Sequence, residues 1–185
     1  MMKELNPEVL AIKPSGIRKF FDLVSEMKDA ISLGVGEPDF DTPWHIREEG
    51  IHSLEKGRTF YSSNAGLMEL REEISHKVES QHGVSYNAKN EVMITVGGSE
   101  AIDLAMRVMI LPGDEVLIPE PCYVSYLPCA RMAYGVPVPI PLEEKDEFRL
   151  TPEKLEAAIT EKSKLLILPF PNNPTGSIME KEDLE

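Results

Sequence analysis

The chain has 185 residues, with 32 acidic side chains against 19 basic ones and a formal net charge of −13. Its apolar share of 42% is that of a globular protein with a substantial core, which argues against low-complexity disorder, and the length suits one domain of ordinary size. So acidic a surface repels phosphate backbones and anionic lipid, so neither nucleic acid nor membrane is expected as a partner.

Two cysteines, Cys122 and Cys129, are too few for a disulfide framework, and their spacing fits no common metal motif, so no metal is expected. The start, Met1 to Pro7, is too polar for a signal peptide, and no run of about 18 apolar residues occurs. These features predict a cytoplasmic protein.

In chain order, residues 1–14 are polar, are broken by Pro7 and Pro14, and read as an extended arm. Ile17, Phe20, Phe21, Val24 and Met27 recur at helical spacing, and Ile31 to Val35 reads as a short strand. Gly36-Glu37-Pro38-Asp39-Phe40 is a turn. Thr42-Pro43 opens a helix, with Thr42 as cap, that runs to about Lys56 with Gly57 behind it. A further helix starts near Gly66, carries an apolar stripe at Leu67, Leu70, Ile74 and Val78 with a Glu73–Lys77 pair beside it, and stops at Gly83.

From Glu91 strands and helices alternate. Glu91 to Val96 reads as a strand, and the helix from Glu100 is apolar nearly all round, which predicts burial. Glu115 to Ile118 is a strand and Tyr123 to Tyr134 a helix. Val136 to Ile140 reads as a strand that Pro137 and Pro139 demote to an edge or to an irregular run. Thr151-Pro152 caps a helix to about residue 161, Lys164 to Leu168 reads as a buried strand, and a last helix begins at Met179. The alternation predicts an α/β fold, a mainly parallel sheet with helices on both faces. The final helix holds one apolar residue, Leu184, and looks unfinished. We therefore expect a piece of a longer polypeptide.

Four segments are candidates for chemistry. At Val96-Gly97-Gly98-Ser99-Glu100-Ala101 a strand gives way to a helix, whose free N–H groups and positive dipole end suit an anion; a tight turn capped by Ser99 accounts for the same residues. The pattern is neither a P-loop nor a dinucleotide fingerprint. Phe170-Pro171-Asn172-Asn173-Pro174-Thr175-Gly176 follows a strand, where ligands bind in open α/β sheets, and turn chemistry explains it equally. Tyr123, after another strand, suits a flat ligand or a core position. Gly36 permits close ligand approach or simply a turn. His45, His52, His76 and His82 receive no role.

In order, Gly-Glu-Pro-Asp-Phe at 36–40, Tyr61 with Gly66 to Arg71, Val-Gly-Gly-Ser-Glu-Ala at 96–101, Pro-Gly-Asp-Glu-Val at 112–116, Tyr123 to Tyr126, and Pro-Asn-Asn-Pro-Thr-Gly at 171–176 resemble the class I/II aminotransferases of fold type I. The aspartate/aromatic branch is the nearest in look. The resemblance implies a pyridoxal 5'-phosphate enzyme that moves an amino group between an amino acid and a 2-oxo acid. Gly98, Ser99 and Glu100 would hold the cofactor phosphate, largely through backbone N–H groups. Tyr123 would stack on its ring, and Asn173 would donate to the ring 3-oxygen and also border the substrate. Gly36 would meet the substrate carboxylate. Tyr61 would reach the phosphate of a partner in a homodimer, although the adjacent Phe60 competes for that alignment.

In the family the Schiff-base lysine lies after the Asn-Pro-Thr-Gly loop, and Lys162, Lys164 and Lys181 stand at non-matching positions. The expectation is therefore a front portion without catalytic residues, inactive alone, with residues 1–30 forming an arm and helix of the small domain and 31–185 the first part of the large cofactor-binding domain. Two other readings share these motifs: another fold-type I enzyme, a C–S β-lyase or decarboxylase, and a non-catalytic ligand-sensing domain. For the last, no basic helix-turn-helix precedes residue 30.

Overall fold

The structure is a computed structural model that describes residues 4–12, 31, 36 and 38–185. The helix expected over 17–27, the strand over 31–35 and the domain boundary at 30 lie wholly or largely outside the described residues. The chain forms two compact units, one of residues 1–14 with 96–185 and one of residues 15–95.

In the first unit the arm is partly helical rather than extended. Helix α1 spans Pro7–Ala11, with the Asn6 side chain accepting from the Glu8 N–H at 3.0 Å and Pro7 in the first turn. The asparagine cap and the preset proline backbone start a helix in a polar segment where no periodicity announces one.

The centre of the unit is a three-stranded parallel sheet in the order β2-β1-β3, with β1 at Glu115–Glu120, β2 at Val136–Pro141 and β3 at Ser163–Leu166. Of the two outcomes open to the proline-bearing segment, the edge strand is the one found: Pro137 and Pro139 pair with Val116 and Ile118 in register, and among the described residues β2 borders β1 alone. Alternation along β1 divides the core. Val116 and Ile118 enter one layer with Met106, Ile110, Cys129, Ala130 and Ala133, and Leu117 enters the other with Ile140, Leu142 and Leu150. Each fully buried side chain of this size contributes about 1.5–3 kcal/mol.

Helices α4 (Gly98–Met109) and α5 (Tyr126–Met132) supply the first layer, and α6 (Pro152–Ala158) borders the second through Leu155 and Ala158. Helices thus cover both faces, as the alternation predicts. Thr151 caps α6 through its hydroxyl, which accepts from the Lys154 N–H. The short last helix, α7 (Lys181–Leu184), opens on a capping box between Glu180 and Asp183.

Three expectations need correction here. Glu91 to Val96 forms no strand: Glu91 closes a turn, the Ile94 N–H donates singly to the Ala65 carbonyl at 3.0 Å with no ladder among the described residues, and Met93 and Val96 are 56% and 91% exposed. β-propensity alone makes no strand when a single backbone bond is not continued into a ladder. Helix α4 is amphipathic rather than buried all round; Met106 is enclosed, whereas Val108 is 85% exposed. Strand β3 is half-buried, with Leu165 packed toward the α4–α5 layer while Leu166 remains partly open.

In the second unit, α2 spans Trp44–Glu55, with Pro43 in the cap position expected of Thr42, and α3 spans Met68–His82 and ends at the left-handed Gly83. The stripe of Leu67, Leu70 and Ile74 stays largely exposed. The enclosed residues of α3 are Arg71 and Ser75, which donate to the Lys89 and Tyr86 carbonyls of the segment that follows the helix. At Gly66, φ is +92° and a Cβ would stand 2.6 Å from the Ile94 side chain, so glycine is required there twice over.

A charged clasp fastens the loop between β2 and α6. Lys154 Nζ stands 2.9 Å from Glu143 and 2.7 Å from Asp146, and Lys145 stands 2.9 Å from Glu143. Lys145 and then Lys154 hold the Glu143 carboxyl at about 2, well below its ordinary 4.5. The depressed value means that the ionised form favours the folded chain. Its contribution is present above pH 4.5 and disappears as pH falls through about 2. Glu143→Gln is expected to be less stable than the parent at neutral pH, with the two converging between these values; acid titration followed by circular dichroism checks this.

Candidate functional site

The site gathers at the carboxyl ends of the parallel strands, all within the first unit. Three loops meet there, each placed by a different element.

The first is the entry to α4. Gly97 sits before the helix at φ 82° and ψ 170°, a conformation open essentially only to glycine, and swings the chain into the first turn. The N–H groups of Gly98, Ser99 and Glu100 then fall in the first turn, where no carbonyl of the helix can reach them. The Glu100 carboxylate turns back to accept from the Val96 N–H, so its contribution to an anion site is its backbone rather than its side chain. Gly98 differs from Gly97, for its backbone is ordinary and a Cβ would meet nothing within 4 Å. Neither backbone strain nor packing against the described residues asks for glycine there.

The second loop follows β1. Tyr123 is half-buried, and its ring packs edge-on with that of Tyr126, the centroids 5.6 Å apart and the planes at 79°. Its hydroxyl lies 3.0 Å from the Ser99 hydroxyl, which ties this loop to the start of α4. Burial, and next the Glu120 carboxylate, push the neighbouring Cys122 thiol up to about 11, so that it stays protonated and unreactive at neutral pH.

The third loop follows β3. Asn172 is 5% exposed, and its Nδ2 donates to the Pro121 carbonyl at 3.0 Å and to the Thr175 hydroxyl at 3.1 Å. The bond to Pro121 fastens the third loop to the second. Asn173 is exposed, and its side chain makes no hydrogen bond in the structure. Adjacent asparagines therefore divide the work: Asn172 holds the loop and Asn173 presents a free amide. Sequence reasoning singles out both amides but gives a role only to Asn173, and it misses the tie made by Asn172. Two amides in succession on a proline-bounded loop are the available signal; Asn172 stands where the turn over residues 173–175 begins, closed by the Gly176 N–H to the Asn172 carbonyl at 2.8 Å, and Asn173 lies within it.

Three predicted anion-site residues, Tyr123 and Asn173 thus lie on loops that are bonded in series. Gly36 and Tyr61 belong to the unit of residues 15–95, where both are exposed, Tyr61 fully. Residues 98–100 carry N–H groups without helical partners, Tyr123 a half-buried aromatic ring and Asn173 an exposed amide. This set fits a planar heterocycle with a phosphate tail.

The sequence profile described as aminotransferase class I and II matches residues 28–185. The chain belongs to this family. Among aminotransferase relatives, the Bacillus subtilis protein YugH is 50% identical over 184 residues, which cover all of this chain and 48% of that one. The aromatic-amino-acid aminotransferase 2 of Thermococcus litoralis is 45% identical over 98% of this chain and 46% of its own. The solved aspartate aminotransferase of Thermus thermophilus with maleate superposes with a TM-score of 0.91 at 38% identity, covering 99% of this chain and 49% of that one. The chain spans about half the length of the aminotransferases it matches. The α/β architecture derived from the sequence is that of these aminotransferases.

Proposed function

We propose that the intact protein carrying this chain is a pyridoxal 5'-phosphate aminotransferase that moves an amino group between an amino acid and a 2-oxo acid. One observation carries the reading: the bonds Ser99–Tyr123 and Asn172–Pro121 draw a helix N-terminus, an aromatic face and a free amide to one end of the sheet. Bound there, the cofactor supplies an electron sink for the pair left when an amino acid's α-carbon loses its proton. Residues 98–100 hold its phosphate through N–H groups and the helix dipole. Tyr123 covers the ring and excludes water from one face, and the Asn173 amide donates to the ring 3-oxygen and borders the substrate. Gly36 meets the substrate carboxylate through its backbone.

The names of its relatives support donors with acidic or aromatic side chains. We assign residues 31–185 to the large domain and read the protein as a cytoplasmic homodimer, with Tyr61 reaching the partner's cofactor phosphate. Among the described residues no helix is long and apolar enough to cross a membrane, and the exposed Phe60 and Tyr61 suit a subunit contact. The 185 residues alone are expected to be inactive.

The test is the full-length protein with pyridoxal phosphate, offered aspartate or an aromatic amino acid with 2-oxoglutarate. Consumption of the 2-oxo acid matched by glutamate formation is expected. Release of ammonia and pyruvate, or of carbon dioxide, without that consumption transfers the protein to the lyase or decarboxylase reading. Cofactor uptake with no turnover of any donor favours a sensing domain.

The two glycines of the turn are expected to separate folding from binding. Gly97→Ala costs about 1–3 kcal/mol of stability, because alanine is forced into a glycine-only conformation. Gly98→Ala changes stability by about 1 kcal/mol or less but weakens cofactor uptake about tenfold, the effect of roughly 1.4 kcal/mol of lost approach. Thermal melts and cofactor titrations on the same preparations distinguish the two.

A further inference from the structure

The bond between Ser99 and Tyr123 joins two groups to which the proposed function gives separate tasks, one at the phosphate and one at the ring. What passes between them depends on which oxygen donates. A serine hydroxyl has one proton and two lone pairs, and so has a tyrosine hydroxyl. If Ser99 gives its proton to Tyr123, none is left for an anion at the helix start. If Tyr123 gives its proton to Ser99, the serine proton remains available to that anion. The phenol is by far the stronger acid of the two, which makes it the better donor and the serine oxygen the better acceptor.

One further contact defines the phenol's place. The Tyr126 ring, packed edge-on at 5.6 Å, fixes the ring of Tyr123.

We propose that Tyr123, beyond lying against the cofactor ring, is a positioning residue for the phosphate: its hydroxyl donates to Ser99 and so aims the Ser99 proton at the anion held by the first turn of α4. This inference rests on the cofactor reading above. It makes ring platform and phosphate grip one coupled unit, so that a change at residue 123 is felt at the phosphate although no atom of Tyr123 need touch it.

The experiment uses the full-length apoprotein and three probes: pyridoxal 5'-phosphate, pyridoxal without its phosphate, and inorganic phosphate as competitor. Tyr123→Phe keeps the ring and removes the donor. It is expected to weaken pyridoxal phosphate and inorganic phosphate by about three- to tenfold, the range of one ordinary hydrogen bond, and to leave pyridoxal unchanged. Ser99→Ala is expected to lose at least as much, Ser99→Thr to keep most of the affinity, and the double variant to be no weaker than Ser99→Ala, since the two hydroxyls act through one path. Melting temperatures of the apoproteins confirm that each variant folds. Phosphate affinity untouched by Tyr123→Phe, losses that simply add, or an equal loss for pyridoxal each overturn the coupling. Wild-type protein that takes up neither pyridoxal phosphate nor pyridoxal overturns the parent reading instead.

Discussion

Ile118→Ala is expected to lower the unfolding free energy by about 2–5 kcal/mol, a loss large enough to consume much of a domain's stability. Ile118 is fully enclosed on the central strand, between two neighbours in the sheet and under the α4–α5 layer that holds Met106, Ile110, Cys129 and Ala130. Removing its outer carbons forfeits transfer free energy and leaves a void that strands on both sides and helices above hold open. Leu166→Ala is the matched control: Leu166 is 37% exposed on β3, so truncation there costs about 1 kcal/mol or less. Urea unfolding of the full-length apoprotein, followed by circular dichroism, checks the ranking. Equal midpoints for the two variants would falsify the two-layer assignment of the core.

The second large effect separates two adjacent asparagines. Asn173→Ala is expected to reduce kcat/KM of the full-length enzyme about 10- to 100-fold, the range for a hydrogen bond to a charged group, with little change in melting temperature. Its amide is exposed and makes no bond in the structure, so nothing in the fold depends on it. Asn172→Leu is expected to act the other way round. It removes the donor to Pro121 and Thr175 inside a nearly closed environment, leaving a carbonyl unpaired at a cost of about 1–3 kcal/mol. Activity then falls because the loop that carries Asn173 is no longer held to the loop that carries Tyr123. Melting curves and steady-state kinetics on both variants resolve the pair. A stability loss for Asn173→Ala that matches Asn172→Leu removes the division of labour.

Much of the architecture is legible in the residues alone. Gly57 and Gly83 end helices where expected, Thr151-Pro152 opens α6, and the prolines of β2 hold it to the edge. These are local signals, settled by the φ angles and hydrogen-bond capacities of a few neighbouring residues. The errors share a cause as well. Glu91 to Val96 has the composition of a strand but makes one backbone bond to Ala65 and no ladder among the described residues, α4 has apolar residues on a face that nothing described covers, and β3 is open on one side. Each of these depends on what lies beside the segment in space, which periodicity along the chain does not report.

The candidate site divides in the same way. The order of motifs and the residue types, glycines before a helix, a tyrosine after one strand and paired asparagines after another, are written in the sequence and are enough to point to the family. The bond from Asn172 to Pro121 spans 51 residues and that from Ser99 to Tyr123 spans 24. Which asparagine ties the loops, which stays free, and that two hydroxyls from different loops meet are decided only in the tertiary structure, because a parallel sheet brings the ends of strands distant in sequence to one edge, and only there can their side chains compete for the same donors and acceptors.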